Sequence, residues 1–386
     1  MKYCKICNKP NCKEHNFLIP KTISIKDFSG SSPPEIFVGR YNYPNINIGI
    51  LSPQSHGDTS QLSSPEEWHK NQLSIKDIVS LRNQLIYGRT KSYIKNFNTN
   101  FLKTMQQVAL THKSVSTEFN LKKSITYHIE KDSKAPLITN AALVKKVRLQ
   151  ENPKIKPKVD YITEDTDAKS ITGILELYRS KIKTSHIMKI LSAGLLGRKT
   201  FRKLVPTRWS ITAVDSTISK EKLKKIKYHQ EINEIMVFTS EYLGNHYEFL
   251  LLPDKWSFEV IEISLANKGI WKDYESFFPR KKYAFSVTGA YYANRLALTE
   301  YLEKIKKQCS CLVMREVRKE YNVPLGVGIL REASRQAFQN PPRKFPSIPE
   351  ALNNIQLRLN QPITNYTHNS KLLSEYKKQS RISNWF

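Results

Sequence analysis

The stretch between Ile235 and Leu265 constrains the fold more than any other part of the chain. It holds three short apolar runs, Ile235–Thr239, His246–Leu252 and Trp256–Leu265, with Gly244-Asn245 between the first two. Extended runs separated by a tight glycine turn pair antiparallel, so the spacing predicts a three-stranded meander. A helical pattern follows over Thr288–Lys307, then short strands at Cys311–Arg315 and Leu325–Leu330 and a helix at Arg331–Gln339. Upstream, Ile36–Gly39 and Asn47–Leu51 read as strands and Ile75–Leu85 as a helix. Asn140–Val159 reads as a strand leading into a basic connector, and Asp167–Ile182 and Ser185–Leu196 as two helices, the second stopping at Gly197. Strands and helices mix without strict alternation, which predicts an α+β fold of mixed helices and antiparallel strands.

The 386 residues suffice for two ordinary domains. Composition shifts suggest a cysteine-bearing unit at 1–16, an N-terminal α/β domain at 17–150, a C-terminal α+β domain at 151–360 and a flexible arm at 361–386. No stretch approaches the roughly 20 apolar residues of a membrane span. The opening Met1-Lys2-Tyr3-Cys4-Lys5 has no apolar signal core, so the expectation is a cytoplasmic protein with no membrane partner.

Lys and Arg number 62 against 34 Asp and Glu, a formal net charge of +28. Such an excess draws polyanions. Charge alone does not separate DNA from RNA or from an anionic membrane, but cations interleaved with aromatics favour nucleic acid, through phosphate contacts and base stacking. That pattern occurs at Arg198, Lys199, Arg202 and Lys203 around Phe201, at Arg208-Trp209, and at Arg40 beside Tyr41 and Tyr43. A solvated basic loop, or tyrosines packed between strands, is the plainer account of the same residues.

Cys4-x2-Cys7-x4-Cys12-x2-His15 places four nitrogen or sulfur donors within twelve residues. Zinc takes four such ligands in a tetrahedron, and a segment too small for an apolar core would draw its folding energy from the metal. The expectation is a structural zinc knuckle, against the alternative of an idle reduced tail. Cys309 and Cys311 lie at strand spacing and read as small buried hydrophobes.

The last eight residues, Gln379-Ser380-Arg381-Ile382-Ser383-Asn384-Trp385-Phe386, follow the pattern Gln-x-x-aliphatic-x-x-aromatic-aromatic. One helical or 3-10 turn brings Ile382, Trp385 and Phe386 to one side as an apolar plug, with Gln379 beside it. The pattern resembles the clamp-binding peptide of replication and repair proteins, whose partner is the sliding clamp PCNA.

Phe37–Pro44 (FVGRYNYP), Lys158–Tyr161, Leu191–Arg198 (LSAGLLGR), Val205–Asp215 (VPTRWSITAVD), Glu241–His246, Gly289–Ala293, Leu325–Val327 and Arg331–Ala333 are distinctive stretches spread along the body of the chain. Through them the chain resembles, over nearly its whole length, the Nre family of archaeal DNA repair proteins. The resemblance implies a protein that repairs damaged DNA, recruited by PCNA, with an N-terminal cysteine cluster. It implies no reaction. Carboxylates with a histidine are what a divalent-metal nuclease needs, and Asp160, Asp165, Asp167, Asp215, Glu241 and His246 are the candidates. Asp165 and Asp167 serve equally well as helix caps. The sequence thus favours a clamp-recruited DNA repair factor, with a nuclease on the same tether or a basic RNA-binding protein as alternatives, and leaves open whether it is an enzyme.

Overall fold

The computed structural model describes residues 25–127, 134–266 and 269–378. They form two compact units, one of residues up to Thr217 with Val323–Gly326, the other Ile218–Asn322 with the chain from Val327 onward. Residues 151–217, grouped by composition with the C-terminal domain, thus belong to the first unit. Each unit carries a mixed sheet and its own helices, an α+β arrangement.

The first unit contains β1 (Asp27–Ser32), β2 (Ile36–Val38), β3 (Asn45–Ser52), β4 (Ile86–Tyr93), β5 (Val115–Leu121), β6 (Thr126–Tyr127) and β7 (Asn140–Leu149). Its sheet runs β1-β5-β7-β4-β3-β2, with β6 pairing β7 off the path. All these pairs are antiparallel except β4 with β7. The helices are α1 (Pro65–Lys70), α2 (Ile75–Asn83), α3 (Asn100–Leu110), α4 (Pro157–Glu164), α5 (Ser170–Arg179), α6 (Thr184–Ser192) and the start of α7 (Thr207–Ile226).

Helix α3 shows why these residues fold as they do. The Thr99 hydroxyl accepts from the Leu102 amide and caps the first turn. Leu102, Met105, Val108 and Ala109, at helical spacing, are buried in a core that also takes in Phe28 and Phe119, stacked at 4.6 Å, and Ala193 and Leu204. The Gln106 amide donates to the Ala193 carbonyl at 3.0 Å. Helix α6 ends on a Schellman motif, in which Leu195 N–H donates to Ile190 O and Gly194 N–H to Leu191 O, with Gly194 at φ +72°. The expected stop at Gly197 therefore falls three residues too late. A buried ion triad ties the β1–β2 loop to two helices: Glu35 lies 3.3 Å from Arg82 on α2 and 2.6 Å from Lys189 on α6.

The second unit contains β8 (Ile235–Tyr242), β9 (Asn245–Leu252), β10 (Ser257–Ser264), β11 (Ile270–Glu275), β12 (Ser310–Val317) and β13 (Arg343–Phe345), in the order β11-β10-β12-β9-β8-β13. Its helices are the remainder of α7, α8 (Thr288–Ile305), α9 (Val327–Ala337), α10 (Ile348–Gln356), α11 (Thr364–Thr367) and α12 (Lys371–Lys378).

Strands β8 and β9 pair antiparallel as expected, but the turn is Leu243-Gly244, both at positive φ, and Asn245 already pairs with Tyr242. The meander is overturned at its third strand: β12 lies between β9 and β10, antiparallel to the first and parallel to the second. A parallel neighbour requires a long crossover, and α8 lies in it. The strand expected at Leu325–Leu330 is instead the start of α9, after Gly326 at φ +89°.

Side chains of alternate parity fill two layers. Val237, Leu250, Leu252, Ile261, Leu312 and Met314 pack on Ala351, Ile355, Leu359 and Tyr366 of the α10–α11 region and on Leu372 and Leu373 of α12. On the other parity, Phe238 and Phe249 meet Phe338 at 4.9 and 4.8 Å, and Phe258 meets Tyr291 of α8 at 5.2 Å. A sheet covered on both faces explains why all eight residues of β9 are buried. Cys309 and Cys311 are buried free thiols, as the strand spacing suggested. The arm expected from residue 361 is folded as far as α12, with Tyr366, Leu372 and Leu373 in the core. Among the described residues no helix is long and apolar enough to cross a membrane.

Candidate nucleic-acid interface

Two segments of the first unit, far apart in sequence, build a basic-aromatic surface. One is the loop Gly39–Pro44 between β2 and β3. Asn42 turns it in the left-handed region at φ 60°, and a cis Tyr43-Pro44 bond leads into β3. The other is the start of α7, where Pro206 O accepts from the amides of Trp209 and Ser210 and opens the first turn. The Val38 amide donates to Thr207 Oγ1 at 3.0 Å and ties the two together. Tyr43 and Trp209 then lie ring to ring at 5.3 Å, tilted by 59°. Arg40 stacks over the Tyr41 ring at 4.6 Å and donates to its hydroxyl at 3.2 Å. Tyr41, Tyr43 and Trp209 are 51%, 41% and 45% exposed, so the aromatic faces meet solvent rather than packing between strands. Arg208 is half-buried.

The basic run after α6 sorts its side chains in two directions. Arg202 turns inward: Nε donates to Gly197 O and Nη2 to Asp165 O, both at 2.8 Å. It holds the loop rather than facing a ligand. Leu204 is buried in the core. Arg198, Lys199, Phe201 and Lys203 are exposed, and none of the three cations makes an ion pair with a described residue. The backbone here is a 3-10 turn at Lys199–Phe201, anchored by Lys199 N–H to Thr166 O and Leu204 N–H to Ile94 O.

The candidate catalytic residues do not form one site. Asp160 is exposed in the first turn of α4. Asp165 caps a turn, its Oδ1 accepting from the amides of Asp167 and Ala168 at 2.9 Å each. Those two bonds, with the nearby Arg202 charge, hold its carboxyl below the ordinary range. Asp167 is exposed, and Asp215 is fully buried on α7.

Glu241 and His246 do come together, in the second unit. The His246 ring lies between two carboxylates, Nδ1 3.1 Å from Glu241 and Nε2 2.9 Å from Glu248. Guanidinium groups bind the same carboxylates. Arg358 binds Glu248 bidentately at 2.6 and 2.9 Å, and Arg318 bridges Glu241 at 2.7 Å and Glu316 at 3.1 Å. Burial alone would raise the Glu248 carboxyl, but the bonds from His246 and Arg358 outweigh it and hold it low. This is a closed network of charge-assisted hydrogen bonds, its members occupied by one another. Among the described residues no group of three His, Cys, Asp or Glu side chains is arranged to hold a metal ion.

The expected zinc ligands Cys4, Cys7, Cys12 and His15 and the expected clamp-binding residues Gln379, Ile382, Trp385 and Phe386 lie outside the described residues. Sequence reasoning missed the loop at 276–286 of the second unit, which exposes Phe278, Tyr283 and Phe285. Its signal was there to be read in the run Phe277-Phe278-Pro279-Arg280-Lys281-Lys282-Tyr283.

Family models place the chain among known sequences. The model described as archaeal Nre, N-terminal, matches residues 1–272, and that described as archaeal Nre, C-terminal, matches residues 275–385. DNA repair protein NreB of Archaeoglobus fulgidus is 31% identical over 97% of this chain and 96% of its own length. DNA repair protein NreA of the same organism is 33% identical over 90% of each. DNA repair protein NreA of Haloferax volcanii is 33% identical over 83% of this chain and 80% of its own. No solved structure matches the chain.

Proposed function

The chain belongs to the archaeal Nre family, and on that premise we propose that it is a cytoplasmic DNA repair factor brought to DNA by the sliding clamp PCNA. The names of its relatives NreA and NreB support the repair role. The observation that carries the DNA reading is the exposed Tyr43–Trp209 pair at 5.3 Å, on the same loop as Arg40, which stacks over Tyr41. Flat aromatic faces beside cations suit unpaired bases and the phosphates next to them. The exposed Arg198, Lys199 and Lys203 add backbone contacts of the same kind.

Recruitment rests on the Gln379, Ile382, Trp385, Phe386 pattern, a three-pronged apolar plug with a polar neighbour. Cys4, Cys7, Cys12 and His15 would hold a structural zinc, their four donors closing the coordination shell. Free, buried Cys309 and Cys311 fit a reducing compartment.

Calorimetry of the purified chain against its cognate clamp tests the tether, with Trp385→Ala/Phe386→Ala alongside. Buried aromatic anchors contribute roughly 2 kcal/mol or more each, so the double variant should lose binding at micromolar concentrations. Equal affinity for both proteins would remove the clamp from the proposal. For the DNA face, Trp209→Ala should weaken binding to a gapped duplex by about tenfold with an unchanged melting temperature. Undiminished binding would move the interface elsewhere.

A further inference from the structure

Loop 276–286 of the second unit lies between β11 and α8 and is held at several points along its length. Lys227 donates to the Phe277 carbonyl and lies over the Phe277 ring at 4.9 Å. Arg280 turns inward, giving Nη1 to Tyr274 O at 2.7 Å and Nη2 to Asp273 at 3.0 Å. The Asp273 carboxylate also accepts from the amides of Phe285, Ser286 and Val287 at 3.1, 2.8 and 2.7 Å. The Tyr292 hydroxyl accepts from the Ala284 amide at 2.9 Å, and its ring meets Tyr283 at 4.7 Å.

So firm an anchorage leaves three aromatics outside. Phe278 is 76% exposed, Tyr283 53% and Phe285 93%. Isolated exposed apolar side chains are ordinary, but three within eight residues on a pinned loop mark a contact surface. Lys281 and Lys282 are exposed between them and make no ion pair with a described residue. Two cations set among outward rings complement an anion that also offers flat apolar faces.

We propose that this loop is a second nucleic-acid contact, one that stacks unpaired bases of a single strand on Phe278, Tyr283 and Phe285 while Lys281 and Lys282 meet the adjoining phosphates. Bases inside a duplex are already stacked, so rings of this kind reward single strands. The pinning by Asp273 and Lys227 presents the rings without an ordering cost at binding. The proposal rests on the reading that the chain works at DNA, yet it concerns a different unit from the Tyr43–Trp209 surface.

Fluorescence anisotropy of the full chain with labelled oligo(dT), and with a blunt duplex of equal length, at one fixed salt concentration tests it. Phe278→Ala/Phe285→Ala should lose roughly tenfold or more in oligo(dT) affinity, keep duplex affinity, and melt with the wild type because both rings already face water. Lys281→Ala/Lys282→Ala should flatten the salt dependence of oligo(dT) binding by a slope of about 1.4, twice the single-strand increment. Wild-type oligo(dT) affinity in the phenylalanine double variant overturns the proposal. If those substitutions instead abolish sedimentation with phosphatidylserine vesicles, the loop belongs to a lipid surface. A wild type that binds duplex but not oligo(dT) overturns the loop together with base stacking on the Tyr43–Trp209 pair and leaves duplex contact standing, and one that binds neither overturns the DNA reading as a whole.

Discussion

At the scale of single residues, placement decides which charged groups are available. Arg202 and Arg198 belong to one basic run, yet the first is spent on two carbonyls and the second is exposed. Sequence spacing registers both as cations and cannot tell inward from outward. His186 shows a titration with structural consequences. It is buried on α6 with Nε2 2.9 Å from the Ala109 carbonyl, and burial, helped by the Lys189 charge, lowers its pKa to about 4. The unfolded imidazole takes up a proton near pH 6.5, whereas the folded one resists until about 4. Within that window unfolding binds the extra proton, so stability falls as pH drops, and the contribution is whole only above pH 6.5. A loss of up to about 3 kcal/mol is expected across the window. Urea unfolding at pH 7 and pH 4.5 should show it, and His186→Gln should flatten the difference.

Among elements, local chemistry was legible and partnership across the sheet was not. The β8–β9 hairpin and the long α8 stand close to where apolar period and turn residues put them. What failed was the neighbour of β10, because insertion of β12 depends on a partner about fifty residues downstream. The start of α9 was misread as a strand, since Leu325–Leu330 is a short apolar run that suits a buried helix equally well. The candidate interface was half legible. Its cations and aromatics stood out, but nothing in the sequence joins Tyr43 to Trp209, whose segments are tied by the bond from the Val38 amide to Thr207. The Schellman end of α6 gives a test at this scale. A Cβ on Gly194 would lie 2.9 Å from both Lys203 O and the Phe97 ring, at a φ of +72° that side chains disfavour. Gly194→Ala should therefore cost about 2 kcal/mol or more, read as a lowered melting temperature. Gly57→Ala, at φ +105° with nothing within 4 Å, should cost less because it carries strain without the clash.

For the whole molecule, the net charge of +28 governs what the chain attracts. A surface so charged binds any polyanion, and affinity without a salt series says little. The slope of log K against log salt counts phosphates released from counterions at about −0.9 each on duplex DNA. Arg198→Ala/Lys199→Ala/Lys203→Ala should make that slope shallower by about 2.7 if all three cations touch phosphate. An unchanged slope in filter-binding or anisotropy titrations would place the duplex on another face.

The packing of α12 sets how this chain would ride a clamp. Leu372 and Leu373 are fixed in the core, and Gln379 follows Lys378 directly. From Lys378 to Ile382 the chain spans at most about 14 Å even when fully extended. The second unit would then be held against the ring as if by a short hinge, with little room to swing. Clamp orientation would choose which stretch of DNA the protein meets, as a carriage on a rail meets only the track beneath it.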